Sequence, residues 1–387
     1  MRLLILVCVT LIFALGLMMV FNTSSAEILD RSLDRSVHQA FLRQIVYATI
    51  GIFGACMIWR VGYIHLLRFA PLLLALATLL LLCVFIPGIG KVRNGAHRWL
   101  GIGSFTFQPS EFVKYLIPMA YIDWFFFNKK KEITFLTFCK VVAILSFPMF
   151  LVMIEPDNGT TAVIGASLIP LFFLSGIRVK YWALPMLILI AIGVFAAYQL
   201  PYVRGRIQVY LHPELDIKGK GHQPYQAKIA AGSGGALGRG PGASLQKLTY
   251  LPEAQNDYIA AIYAEEFGFI GILLLIILYM LLVYGGFSIA MRSHNLAGGY
   301  LAASITFLIA LQAFLNLGVV SGLLPSKGVN LPFFSQGGTS LIANIVGLTV
   351  LLNIGSKAHI HEKETDFERG RNRRASFSCA KPGPRVP

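Results

Sequence analysis

Apolar runs alternate with shorter polar connectors along nearly the whole chain. The runs fall near 3–21, 44–64, 66–87, 109–127, 135–155, 158–177, 181–200, 258–290, 298–322 and 338–355. A bilayer core takes roughly 20 apolar residues in a helix, so each run is long enough to cross one. The pattern predicts an all-α polytopic membrane protein with about ten transmembrane helices. An even number of spans puts both ends on one side. The first run, with Met1-Arg2 ahead of it and Asn22 to Ala26 behind, also resembles a secretory leader. Its length and the many spans that follow favour an uncleaved first helix.

Basic residues orient the bundle. Arg60, Arg68, Asn128 to Lys131, Arg178, Lys180 and Arg292 occupy one set of connectors, and a cluster at Arg369, Arg371, Arg373 and Arg374 occupies the tail. The alternate connectors carry fewer short-loop positive charges. The positive-inside rule therefore places both termini in the cytoplasm. The same rule accounts for the net charge of +15 in a chain that is 56% hydrophobic and only 13% charged, and it removes the case for a nucleic-acid partner. The tail, 356–387, reads as a basic, disordered cytoplasmic segment. Of five cysteines, four lie in apolar runs and Cys379 lies in the tail. With no C-x-x-C pair, neither a disulfide framework nor a zinc site is expected.

Three connectors on the opposite side carry unusual chemistry. The first, 90–108, leads through His97, Arg98 and Trp99 into Gln108-Pro109-Ser110-Glu111. Pro109 suits a first helical turn, which puts Glu111 and Lys114 on one face just inside the membrane. They form either a self-neutralising interfacial pair or the polar wall of a cavity, since lipid-facing charge is disfavoured there. Trp99 alone reads as an interface anchor. Near 154–161, Glu155-Pro-Asp157-Asn-Gly is turn chemistry, with an acid able to cap the next helix and to help shape an outer cavity.

The second connector, 201–257, is the longest and is predicted to be a large structured extracytoplasmic loop between helices 7 and 8. It holds nine glycines, five prolines, and seven Lys/Arg against four Asp/Glu. Its glycine run lacks the Gly-Lys-Ser/Thr ending and the flanking strand of a nucleotide loop. Arg204, Arg206, Arg239 and Lys247 lie on the positive-poor side, as an anionic outer substrate would require, although solvated loop charge is the default for any one of them. The segment ends in Gln255-Asn256-Asp257-Tyr258, a carboxylate at the lip of a membrane helix. Such a residue is costly to hold and marks a functional position. Glu265 and Glu266 sit two turns deeper, where they support the site rather than perform the chemistry. The third connector, 323–338, is rich in Pro and Gly. It reads as a rigid re-entrant loop, with Lys327 able to face the same site.

Taken in order, five blocks resemble the SEDS family (shape, elongation, division and sporulation proteins): Ala96-His-Arg-Trp-Leu with Gln108-Pro-Ser-Glu-Phe-Val-Lys114, Glu155 to Thr161, Tyr250 to Tyr258, Glu265 to Gly271, and Gly322 to Ser340. The likeness spans 1–355. Gln246-Lys247-Leu and Leu324-Pro-Ser-Lys327-Gly are most similar to the FtsW-like, cell-division branch. Departures stand at Asn256, Leu315 and Gln336, none of them a charged motif position. The resemblance implies a peptidoglycan glycosyltransferase that polymerises lipid II, an undecaprenyl-diphosphate-linked disaccharide-peptide, for septal wall synthesis. It implies a complex with a class B penicillin-binding transpeptidase and other divisome proteins, in the cell inner membrane at the division site. It implies Asp257 as the essential loop acid, Glu111 and Lys114 as the cavity pair, and Arg98 as the basic residue before them.

The chemistry fits those residues. An α-linked diphosphate becoming a β-1,4 bond means inversion, hence one displacement, for which one carboxylate suffices as general base. A diphosphate leaves without an acid partner, unlike the leaving groups of ordinary glycosides. Positive charge from Lys114, Arg98, Arg204, Arg206, Lys247 or Lys327 would stabilise it. A divalent cation could share that work, though no clear ligand cluster shows. Three alternatives stay open: an elongation-branch, RodA-like polymerase; a lipid II flippase or other transporter; and a non-enzymatic division scaffold.

Overall fold

The computed structural model describes residues 1–31, 38–93, 96–102, 105–128, 133–187, 191, 210, 221–249, 255–325 and 328–357. Its helices are α1 (Arg2–Arg31), α2 (Gln39–Val61), α3 (Tyr63–Val84), α4 (Ser110–Asp123), α5 (Phe135–Ile154), α6 (Asn158–Leu174), α7 (179–187), α8 (His222–Ser233), α9 (Gln246–Thr249), α10 (Ile259–Met291), α11 (Leu296–Val320) and α12 (Gly338–Lys357). Among the described residues, seven helices are long and apolar enough to cross a membrane: α1, α2, α3, α5, α10, α11 and α12. α6 is apolar but shorter. α4 has 14 residues and runs directly into a π-helical turn, Trp124–Asn128. Together they reach about 28 Å, close to the thickness of a hydrocarbon core. Most of the expected seventh span, 181–200, lies outside the described residues. The chain is a polytopic helical membrane protein.

Polarity sorts centre from periphery. In α2, 17% of the spanning window is buried, against 56% in α11 and 78% in α12. Twelve of the 14 residues of α4 are buried, including Glu111, Lys114 and Asp123. Helices that carry polar groups at membrane depth are thus wrapped by apolar ones, because lipid cannot satisfy those groups. Mid-helix prolines stand in α3, α4, α5 and α6, at Pro71, Pro118, Pro148 and Pro170. Neighbouring helices make such breaks tolerable.

The first connector corrects the all-α expectation. It folds as a three-stranded antiparallel sheet, β1 (Gly90–Arg93), β2 (Ala96–Ile102) and β3 (Phe105–Phe107), in the order β1-β2-β3. Lys91 pairs with Trp99 and Leu100 with Phe107, with a register shift between Lys91 and Val92. Antiparallel pairing lets these short, aromatic-rich strands satisfy their backbone groups. The inner edge is sealed against the bundle, where Thr106 O accepts from the Tyr47 hydroxyl and from Thr339 Oγ1, each at 3.3 Å.

α10 is a broken helix. At Gly268 the backbone turns to φ 65°, ψ −162°, a conformation open essentially to glycine alone. The residues after α8 fill the break. Arg239 N donates to Glu265 O at 3.0 Å and Gly240 N to Glu266 O at 3.0 Å, while Phe269 N and Ile270 N donate to Gly235 O (2.9 Å) and Ala236 O (3.2 Å). Carbonyls and amides orphaned by the break are therefore paired with loop backbone. A β-carbon on Gly238 would lie 2.1 Å from Glu266 O, so the fit admits only glycine on the loop side as well.

Candidate active site

A polar cavity of about 400 Å³ lies where α2, β2, α4, α6, α11 and α12 meet the loop 328–337 and the turn before α10. Its inner wall is the first turn of α4. Lys114 Nζ contacts Glu111 Oε2 and donates to Gln312 Oε1 of α11 at 2.8 Å. Lys114 is 2% exposed and Glu111 8%. The pair faces protein and cavity, which is the cavity-lining alternative of the two open for it.

Asp257 stands across this space, half-buried on the turn leading into α10, and lines the same cavity. Its backbone is fixed by Asn316 of α11, whose Nδ2 donates to Asp257 O and Val329 O, both at 2.8 Å. Gln255 O accepts from Gln336 N at 3.0 Å, and Gln255 Oε1 accepts from Ser24 Oγ of α1 at 3.0 Å. The carboxylate oxygen Oδ2 would lie 3.4 Å from a β-carbon at Gly328, so the loop 328–337 packs directly against it. That loop is well anchored, with Leu331, Phe333, Phe334 and Ser335 buried.

Arg98 and Trp99 reach the cavity from β2. Arg98 Nε donates to Glu155 O at 3.0 Å and its Nη2 to Pro156 O at 2.5 Å, with Nη1 4.0 Å from Asp157 Oδ1. Asp157 is the N-cap of α6: Thr160 N donates to Oδ1 at 3.2 Å and Thr160 Oγ1 to Oδ2 at 2.9 Å. Gln108 Nε2 adds a bond to Oδ2 at 3.2 Å. Asp157 thus caps a helix and also lines the cavity. Burial raises its pKa above the usual carboxylate range, and Arg98 and Thr160 pull it back. Glu155 is fully buried, and neither carboxyl oxygen has a hydrogen-bond partner among the described residues. Burial, and then the neighbouring Asp157, push it to about 8 against the pull of Arg98.

The structure brings Asp257, Glu111, Lys114 and Arg98 to one cavity. It does not bring Lys247 there. Lys247 Nζ is buried against Glu266 Oε1 (2.9 Å), Asn22 Oδ1 (2.6 Å) and Gly242 O (2.8 Å), so its three donors are used. Arg239 likewise sits 3.4 Å from Glu265 rather than at the cavity. Arg204, Arg206 and Lys327 lie outside the described residues. Sequence reasoning passed over Arg43, Tyr47, Gln312, Asn330 and Thr339, which also line the space. The available signal was polar residues embedded in apolar runs, of which Gln312 is the clearest. Among the described residues, no group of three or more His, Cys, Asp or Glu is placed to hold a metal ion.

A family model described as cell cycle protein, FTSW_RODA_SPOVE, matches residues 2–360. "Stage V sporulation protein E" of Bacillus subtilis is 38% identical over 354 residues, which cover 91% of this chain and 96% of that protein. A "Probable peptidoglycan glycosyltransferase FtsW" of Thioalkalivibrio sp. is 38% identical over 362 residues, covering 92% and 90%. The crystal structure of the rod shape determining protein RodA of Thermus thermophilus superposes with a TM-score of 0.65 at 25% identity, covering 92% of this chain and 96% of that one. A chain from a peptidoglycan synthase complex that coordinates polymerization and crosslinking gives a TM-score of 0.75 at 24% identity, covering 92% and 97%, which speaks for the fold alone. With a family match over almost its full length and relatives of this identity, the chain belongs to the FtsW/RodA/SpoVE (SEDS) family.

Proposed function

We propose that this protein is a peptidoglycan glycosyltransferase that polymerises lipid II into glycan strands during septal wall synthesis, with Asp257 as general base. The observation that carries this reading is the meeting of the half-buried Asp257 carboxylate with a buried cation, Lys114, in a single polar cavity of a membrane-embedded family member. Asp257 takes the proton of the acceptor sugar's 4-hydroxyl as it attacks the donor's anomeric carbon, which inverts. Charge building on the departing diphosphate is met by Lys114 and Arg98, with Arg204, Arg206 and Lys327 as further candidates. Lys247 leaves that set because its donors are already used.

Relatives named FtsW favour the division branch over the elongation branch. A class B penicillin-binding transpeptidase is the expected partner, in keeping with the fold shared with a chain of a peptidoglycan synthase complex. Ten spans with both termini in the cytoplasm fit the bundle. Arg2 of α1 packs beside Gly355 of α12, and the Lys357 ammonium lies 5.2 Å from the Tyr63 ring centroid, all at the end opposite the cavity. The protein then sits in the inner membrane, enriched at the division site, with its cavity outward and its basic tail inward.

The test is reconstitution with the transpeptidase and lipid II. Wild type forms glycan strands, and Asp257→Asn loses about 10²- to 10⁴-fold in rate, the usual worth of a positioned base. Strands formed equally by both proteins would end the role given to Asp257. Movement of lipid II between leaflets without strands would favour the transporter reading.

A further inference from the structure

We infer that Glu266, Lys247 and Asn22 are positioning residues for Asp257; the inference rests on the reading of Asp257 as the base. The break at Gly268 separates Ile259–Phe267 from the rest of α10. The turn that carries Asp257 therefore leads into a short half-helix of nine residues, Ile259–Phe267, roughly 13 Å long at 1.5 Å per residue. It has no continuous helical backbone to hold its tilt. Its orientation is set by the packing of its buried residues Ile259–Glu266 and by what grips its two ends.

One helix grips both. At the Asp257 end, Ser24 of α1 bonds the side chain of Gln255, two residues before the base. At the Gly268 end, Asn22 of α1 donates to Glu266 Oε2 at 2.6 Å and accepts from Lys247 Nζ at 2.6 Å. Lys247 closes the triangle on Glu266 Oε1 at 2.9 Å, with side chains 6% and 0% exposed. Asn22 and Ser24, two positions apart on α1, thus tie the Gly268 end of the half-helix and the Gln255 turn to one point of α1, and the Lys247 ammonium joins α1, loop and half-helix there. A buried ion pair completed by hydrogen bonds has one well-defined geometry, and so specifies position more than it adds stability. Loosening it lets the half-helix tilt and moves Asp257 relative to Lys114 and Gln312, which sit on other helices.

The experiment measures strand synthesis from lipid II by reconstituted wild type, Lys247→Met, Glu266→Gln and the double variant. A displacement of about 1 Å at a reacting group costs on the order of 100-fold. Each single variant is expected to lose about 10- to 100-fold in kcat with KM for lipid II within about 2-fold. Because the two act as one unit, the double variant falls no further than the worse single. Lys247→Arg, which keeps the charge and the reach, recovers most of the rate. If the buried-charge variants do not survive extraction, Asn22→Ala carries the same test, since it leaves the ion pair in place and still frees α1. A wild-type rate in Asn22→Ala or in both single variants, or losses that multiply in the double variant with KM rising, overturns the inference. Absence of strands from wild type sinks the polymerase reading and this inference with it, whereas strands from wild type and full rate in the variants sink only the positioning.

Discussion

The Glu111–Lys114 pair can be dissected so that its structural and chemical roles separate. Both side chains are buried, and Lys114 has a second partner in Gln312. Lys114→Met strands a carboxylate without its cation. Removing one member of a buried pair costs about 3–5 kcal/mol, and every 1.4 kcal/mol is tenfold, so the folding equilibrium constant falls by a factor of roughly 100 or more. Glu111→Leu strands the ammonium, and Gln312 alone offsets part of a similar cost. The double variant Glu111→Leu/Lys114→Met removes both charges, and apolar replacements of a buried pair are near neutral. Its stability should return to within about 1–2 kcal/mol of wild type, a coupling of at least about 2 kcal/mol between the two sites. Unfolding by a graded denaturing detergent, followed by tryptophan fluorescence, gives the cycle. Strand synthesis on the same preparations gives the other axis. The expected result is a double variant that is stable and inactive. Additive losses of stability would refute the pair as a unit, and a stable double variant that polymerises at wild-type rate would refute its part in the chemistry.

Two further outcomes follow from the connectors and the broken helix. Glu155 binds its proton more tightly in the folded chain, at about 8 against an ordinary 4.5. Its contribution is complete below pH 4.5 and is lost as pH rises through 8, so thermal stability should fall across that window and Glu155→Gln should flatten the fall; an unchanged slope in the variant would show that other groups set it. Gly268→Ala places a β-carbon 2.3 Å from Gly238 N at φ 65°. Strain of about 1–3 kcal/mol plus that clash should undock the loop, visible as new protease cleavage within 234–242, and a loop as resistant as wild type would contradict the close fit.

Much of the architecture was legible because apolar runs of spanning length have few alternative fates. The position of Asp257 at a helix lip and the spacing of Glu111 and Lys114 were legible for the same reason: ionised groups near lipid are rare enough to stand out. The sheet was not. Its strands are three to seven residues long, and their alternation is interrupted by glycines. Nor was the break in α10, since the run 258–290 around Gly268 reads as one continuous helix. Lys247 and Arg239 looked like ligands for an anionic substrate because they stand on the positive-poor side. The anions they meet are Glu265 and Glu266. Two adjacent acids at membrane depth demand cations, and the glycine-rich segment just before them supplies two.

The central place of α12 has a consequence for biogenesis. Gly338, Thr339 and Ser340 close one side of the cavity, and most of this helix is enclosed by segments made earlier. Synthesis proceeds from the N-terminus, so this well-enclosed helix is delivered after every other described helix. Until then the earlier helices surround an open seam, with Gln108 N lacking Thr339 and the Tyr115 hydroxyl lacking Asn344. The cavity therefore cannot be completed before α12 has been made, and the order of synthesis itself keeps the site open until then.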